Sequence, residues 1–188
     1  CKKALTQADG DFEKAIEILR EQGLAAANKK AGRIAAEGMV YAVSFDNCAV
    51  VVEVNAETDF VAKNDKFVDF TKNLAKVVAD ENPADVEALK ACKYPGTDRT
   101  VADVTADKEL AIGENIQIRR FVRFAENTSV GYVHAGGKIG VLVNLAVEGG
   151  IDATTIGKDV AMQIAALNPR FWDCLLYTSP SPRDRSLS

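Results

Sequence analysis

The side chains that could carry chemistry are few and scattered. His134 is the single histidine, and imidazole is the group best suited to move protons near neutral pH. Gly131 and Gly136-Gly137 bracket it, which is hairpin-turn composition, and no nucleophile pattern stands beside it. Gly136-Gly137-Lys138-Ile139-Gly140 has the outline of a phosphate loop. That loop needs Ser or Thr after its lysine to hold magnesium, and Ile139 takes the place, so the glycines read as a tight turn. Glu57 and Asp59 are two carboxylates at i, i+2. The spacing suits a metal or an acid pair, but in a polar stretch it is more often local turn chemistry. The four cysteines, Cys1, Cys48, Cys92 and Cys174, form no C-x-x-C pair and lie far from His134 in sequence, so zinc has little support. Cys48 sits in an apolar run as a small hydrophobe. No catalytic, metal or cofactor constellation emerges, and the expectation is a binding module and not an enzyme. Phe60 stands apart. It lies between Asp59 and Val61 at a strand-to-helix junction, outside either apolar pattern. It suits a staple packed on the following helix or an exposed anchor for a partner, and periodicity leaves both open.

The elements around these residues follow from periodicity. Asp9-Gly10-Asp11 is a turn with N-cap chemistry, and Phe12, Ala15, Ile16 and Leu19 then fall at helical spacing, with Gly23 where a C-cap glycine belongs. Lys2 to Leu5 read as the end of an earlier helix. Residues 1–27 are therefore expected to form a partial helical domain and 28–38 a linker rich in Ala and Lys. From Met39 the period changes to two: Val40–Phe45 and Ala49–Val54 form a hairpin around Asp46-Asn47. A long helix carries Phe67, Phe70, Leu74, Val77 and Val78 until Asn82-Pro83 ends it. A short helix over 84–91 and another over 101–110 follow. Residues 114–124 read as a strand with Ile116, Ile118, Val122 and Phe124 on one face. This gives a first core subdomain over 39–128. Residues 130–168 repeat the plan of 40–80 at a shift of about 91, placing Tyr41 on Tyr132, Val50 on Val141, Val52 on Val143 and Glu57 on Glu148. Residues 129–171 are expected to begin a second, related and incomplete subdomain. Residues 172–188 have no period, two prolines and four serines, and are expected to be a disordered, non-native tail.

Bulk properties narrow the class. With 47% apolar and 27% charged residues the chain has globular composition. A net charge of −4 is the reverse of a nucleic-acid footprint. Lys2, Lys3, Lys29, Lys30 and Arg33 give a mild basic bias that reads as a solvated helical face. No apolar run reaches membrane-spanning length and no secretion signal is visible, so a cytoplasmic protein without membrane contact is expected. The chain opens on Cys1, from which a missing N-terminus is expected.

Several blocks, in order, resemble the translation elongation factor Ts family. They are Cys1-Lys2-Lys3-Ala4-Leu5, Gly10 to Ile16, Lys29 to Gly38, Val54 to Asn64 around Thr58-Asp59-Phe60-Val61, Ile112 to Arg120, and His134 followed by Lys138 to Val143. The resemblance runs from Cys1 to about Phe171. It implies an α+β fold: a ubiquitin-associated-like helical domain, a linker, and a core of antiparallel sheets and helices in two related subdomains. It implies a non-catalytic guanine-nucleotide exchange factor in translation elongation. Its partner would be the GTPase elongation factor Tu, and it would bind no nucleotide itself. Carried over, Thr58, Asp59, Phe60 and Val61 match the segment that dislocates Mg²⁺ in the partner, and His134 matches a further partner contact. The truncation implies weaker exchange than a complete chain gives. Two other readings compete. One is an RNA- or ribosome-associated module using Lys29 to Arg33, whose binding would fall steeply with salt. The other is an enzyme with His134 and Asp59 in one pocket.

Overall fold

The computed structural model describes residues 2–30 and 32–169. The chain begins with α1 (Lys2–Gln7), reverses through Asp9 and Gly10 in left-handed conformation, and enters α2 (Phe12–Lys30). Asp11 caps α2: its Oδ1 accepts the amides of Glu13 at 2.9 Å and Lys14 at 3.2 Å. Ala4, Ala8 and Ala15 bury against one another, with Ile18 and Leu19 beside them. The expected inward residues Phe12 and Ile16 are instead 72% and 52% exposed. Contact with the short α1 runs through small alanines, which turns Ala15, Ile18 and Leu19 inward. Gly23 does not end the helix. It lies inside α2, buried beside Leu110, where a Cβ would make ordinary contact at 3.9 Å. Three residues of the expected linker, 28–30, are thus helical.

Strands β1 (Glu37–Ser44) and β2 (Ala49–Ala56) form the predicted hairpin, and β3 (Gln117–Phe124) pairs antiparallel with the other edge of β2, giving the order β1-β2-β3. β1 starts before the predicted Val40 because Gly38 admits the extra pairs. Its φ is +143°, and a Cβ there would lie 2.3 Å from the Val54 carbonyl oxygen. After β2 come α3 (Asp59–Ala62) and α4 (Asp65–Glu81). Phe67, Phe70, Leu74 and Val78 of α4 are fully buried against Val50, Val52 and Val54 of β2, the centre of the main core. Each such side chain contributes about 1.5–3 kcal/mol by leaving water. Asn64 caps α4 through the Lys66 amide, and Asn82, left-handed at φ 46°, ends it before Pro83. Helices α5 (Val86–Ala91) and α6 (Val101–Ile112) close this half; Thr100 and Asp103 form a capping box and Gly113 a left-handed C-cap.

The face assignment of β3 needs correction. Ile116 and Ile118 are buried, but Val122 is 44% exposed and Phe121 packs on the core instead. Glu53 pairs with Arg120 while Val54 pairs with Ile118, so Arg119 is an extra residue, a bulge that reverses the alternation.

Strands β4 (Thr128–His134) and β5 (Ile139–Leu145) form a second hairpin, followed by α7 (Thr154–Leu167). Val141 and Val143 bury against Ala161 of α7, with Tyr132 and Leu145 alongside. The opposite side of this hairpin meets the outer face of the first sheet. A Cβ on Gly140 would lie 2.3 Å from Val40 Cγ1, and one on Gly131 would meet the Ala42 backbone at 3.1 Å. The Val40 amide donates to the Gly137 carbonyl at 2.7 Å, and the Ser44 hydroxyl to the Ser129 carbonyl at 3.1 Å. The order is α4, sheet, hairpin, α7: an α+β arrangement of helices outside and antiparallel strands within.

Both hairpins carry a helix on one face, but the uniform shift of 91 holds only for their second strands. Tyr41 pairs with Val52, whereas Tyr132 pairs with Val141, so the first strands are offset by two residues. Among the described residues no helix is long and apolar enough to cross a membrane. The segment 172–188 lies outside the described residues.

Candidate functional site

The Thr58–Val61 segment connects β2 to α4, with Asp59, Phe60 and Val61 in the single turn of α3. Four residues do not sustain a helix alone, so neighbours hold this turn. Underneath, Ala62 is buried and Val61 packs on the main core. At its start, the Glu114 carboxylate accepts the Glu57 amide at 3.1 Å, the Thr58 amide at 3.0 Å and the Thr58 hydroxyl at 2.7 Å. In return, Glu57 Oε1 accepts the Asn115 amide at 2.7 Å and lies 3.6 Å from the Arg33 guanidinium. Asn115, almost fully buried, donates its side-chain amide to the Arg33 carbonyl at 2.8 Å.

On this base Phe60 points outward and is 84% exposed, so the staple reading fails and the anchor geometry remains. Lys63, one turn on, donates to the Asp59 carboxylate at 2.8 Å. That hydrogen bond and the lysine's charge hold the Asp59 carboxyl below its ordinary range, with Lys138 adding in the same sense. The same pairing raises Lys63, helped by the charge of Glu37.

His134 ends β4, exposed, with Tyr132 Oη 2.9 Å from its Nδ1. The turn after it, through Ala135, Gly136 and Gly137 at positive φ, carries Lys138 back to an ion pair with Glu37 at the start of β1. Glu37 and Lys138 thereby bring the second hairpin's turn toward the Asp59–Lys63 pair, although His134 itself shares no pocket with Asp59. Beyond His134, Tyr132, Val160, Ile164 and Leu167 line an open, largely apolar groove of about 800 Å³. The enzyme reading needs His134 and Asp59 in one pocket; His134 lines the groove beside α7, and Asp59 is not among the residues that line that groove.

Glu114, Asn115 and Arg33 were missed from sequence. Glu114 and Asn115 stand in what read as the start of a strand, and Arg33 in what read as a solvated basic run. Their contacts span 56 to 82 positions, which no local pattern encodes. The Asp59–Lys63 pair stands at i, i+4, but Asp59 read as part of a polar stretch without a helix, so the spacing alone did not reveal the pair.

The family described as Elongation factor TS matches residues 57–175. The elongation factor Ts of Syntrophotalea carbinolica is 54% identical over 175 residues, covering 91% of this chain and 58% of that protein. That of Trichlorobacter lovleyi is 51% identical over 181 residues, with 91% and 58% covered. That of Paramagnetospirillum magneticum is 48% identical over 196 residues, with 100% and 62% covered. The chain thus spans about three fifths of the length of these curated relatives. It belongs to the elongation factor Ts family.

Proposed function

We propose that this member of the elongation factor Ts family is a guanine-nucleotide exchange factor acting on elongation factor Tu in the cytoplasm, and not an enzyme. It binds the GDP-bound GTPase, disturbs the Mg²⁺ site and promotes GDP release. The observation that carries this reading is Phe60: a large apolar ring 84% exposed, on a turn whose backbone is held by Glu114. An exposed aromatic on a fixed base suits insertion between elements of a partner, since little order is lost on binding. Mg²⁺ bridges nucleotide phosphates and protein in GTPases, so displacing the elements that hold it weakens nucleotide binding. Asp59, tied to Lys63, sets the polar rim of the anchor, Thr58 and Val61 fix its two ends, and His134 supplies a second contact. No bond is made or broken, so no cofactor, metal or bound nucleotide is required of this chain.

Exchange by this route requires linkage. The factor must prefer the nucleotide-free partner, and GDP must weaken the factor's binding by the same ratio. Titrating the chain into nucleotide-free and GDP-saturated elongation factor Tu should give dissociation constants differing by at least about tenfold. Equal constants would contradict exchange. The RNA-binding reading is disfavoured by Arg33, whose guanidinium is turned to Glu57; binding to an RNA oligonucleotide that collapses with salt would revive it.

A further inference from the structure

We propose that Glu114 is a positioning residue for exchange: its carboxylate fixes the backbone from which Phe60 projects, without touching the partner. This rests on the exchange reading above and adds to it a residue outside the Thr58–Val61 segment. Phe60 transmits force to a partner only if the turn beneath it resists displacement, and α3 has little resistance of its own. Thr58, at the N-cap position, makes no side-chain bond to the amides of α3. Its hydroxyl goes to Glu114 Oε1, while Glu114 Oε2 accepts the amides of both Glu57 and Thr58. One carboxylate thus takes three donors from two successive residues, and bonds to an ionised acceptor are the stronger kind.

The arrangement is reciprocal. Glu57 accepts the Asn115 amide, and the Ile116 amide is taken by Glu109 Oε1 at 3.0 Å. The buried Asn115 side chain then reaches the Arg33 carbonyl. The α6–β3 junction, the Thr58 turn and the stretch before β1 are joined into one block. A network in which each carboxylate caps the other's backbone loses several bonds when one member is removed. Glu114 lies at the base of the turn and Phe60 at its exposed end, so the effect of Glu114 on a partner passes through the backbone.

The test uses the full chain with Glu114→Ala, Glu114→Gln, Thr58→Val and Phe60→Ala. It measures acceleration of GDP release from elongation factor Tu, and amide hydrogen exchange at Glu57, Thr58 and the core residue Val52. In Glu114→Ala, amide exchange at Glu57 and Thr58 should rise about tenfold with Val52 unchanged, and stimulated GDP release should fall about tenfold, the scale of one charge-assisted bond. Glu114→Gln keeps an acceptor for the two amides and should stay within about threefold of the parent, a rescue that a general loss of stability would not show. If Glu114→Ala retains full stimulation while Phe60→Ala loses it, the positioning role is overturned and the exchange reading stands. If the parent chain gives no stimulation, the exchange reading fails, and unchanged amide exchange at Glu57 and Thr58 would also overturn the claim that Glu114 holds the turn. Should Glu114→Ala loosen Val52 as well, Thr58→Val decides: it removes only the hydroxyl bond, and a fall of about threefold supports the proposal while no change overturns it.

Discussion

Phe60 and Asp59 are adjacent, and the structure gives them opposite physical situations. Phe60 contributes almost nothing to folding because it is already in water. Phe60→Ala should therefore leave the free energy of unfolding within about 0.5 kcal/mol of the parent in a denaturant titration, separating any loss of function from loss of fold. Asp59 is tied to Lys63. Its carboxyl titrates below the usual 3.8 in the folded chain, so the tie is present above that value and is lost as pH falls through the lowered one. Lys63 titrates above the usual 10.5, so the tie is present below that value and is lost as pH rises through the raised one. The tie should persist between these limits. Following the Lys63 ammonium and the Asp59 carboxyl by NMR over this range should give displaced midpoints, and ordinary midpoints for both would show that the pair does not persist in solution. At this scale the sequence held half the story. The Thr-Asp-Phe-Val segment was readable as a resemblance, whereas the Asp59–Lys63 pair depends on a helical turn not read there, and the exposure of Phe60 and the role of Glu114 depend on contacts made by distant chain.

The elements were legible where a single period ran without interruption. The first hairpin, the long α4 with its Asn82-Pro83 stop, and the body of α6 follow from alternation, helical spacing and end chemistry. Three features did not, each for a stated reason. Gly23 sits inside α2 near Leu110, at a position where a Cβ would make only ordinary contact at 3.9 Å, so the residue type alone did not mark a helix end. The β3 pattern predicted Val122 inward, and the Arg119 bulge turned Phe121 inward instead; an extra residue leaves no mark where the adjacent Phe121 and Val122 are both apolar and either could take the inward place. The second hairpin has a loop of four residues like the first, but with its second strand matched at a shift of 91 its first strand falls two residues off that shift. Its packing on the first sheet yields a prediction about an element. Gly140→Ala would place a methyl carbon 2.3 Å from Val40 Cγ1 and should cost about 1–3 kcal/mol in unfolding experiments. Val40→Ala in the same chain should recover part of that loss. Additive losses from the two changes would mean that the hairpin does not sit on the sheet there.

For the whole molecule, helices flank two stacked antiparallel layers, and the elements converge on one rim. There the β2–α4 connection presents Phe60, and the turn after β4 brings Lys138 onto Glu37. That convergence of α3 with the second hairpin's turn was invisible in sequence, where Asp59 and His134 fall in different units. The chain spans about three fifths of its relatives' length, so what is asked of it is whether this rim alone acts on the GTPase. The most direct measurement is the rate of fluorescent GDP release from elongation factor Tu with the chain and with its Phe60→Ala variant, both shown to be folded by circular dichroism. The account predicts accelerated release by the parent and loss of at least about nine tenths of that acceleration in the variant, the scale of a buried aromatic anchor. Equal acceleration by both would contradict the claim that Phe60 is the anchor through which the chain acts.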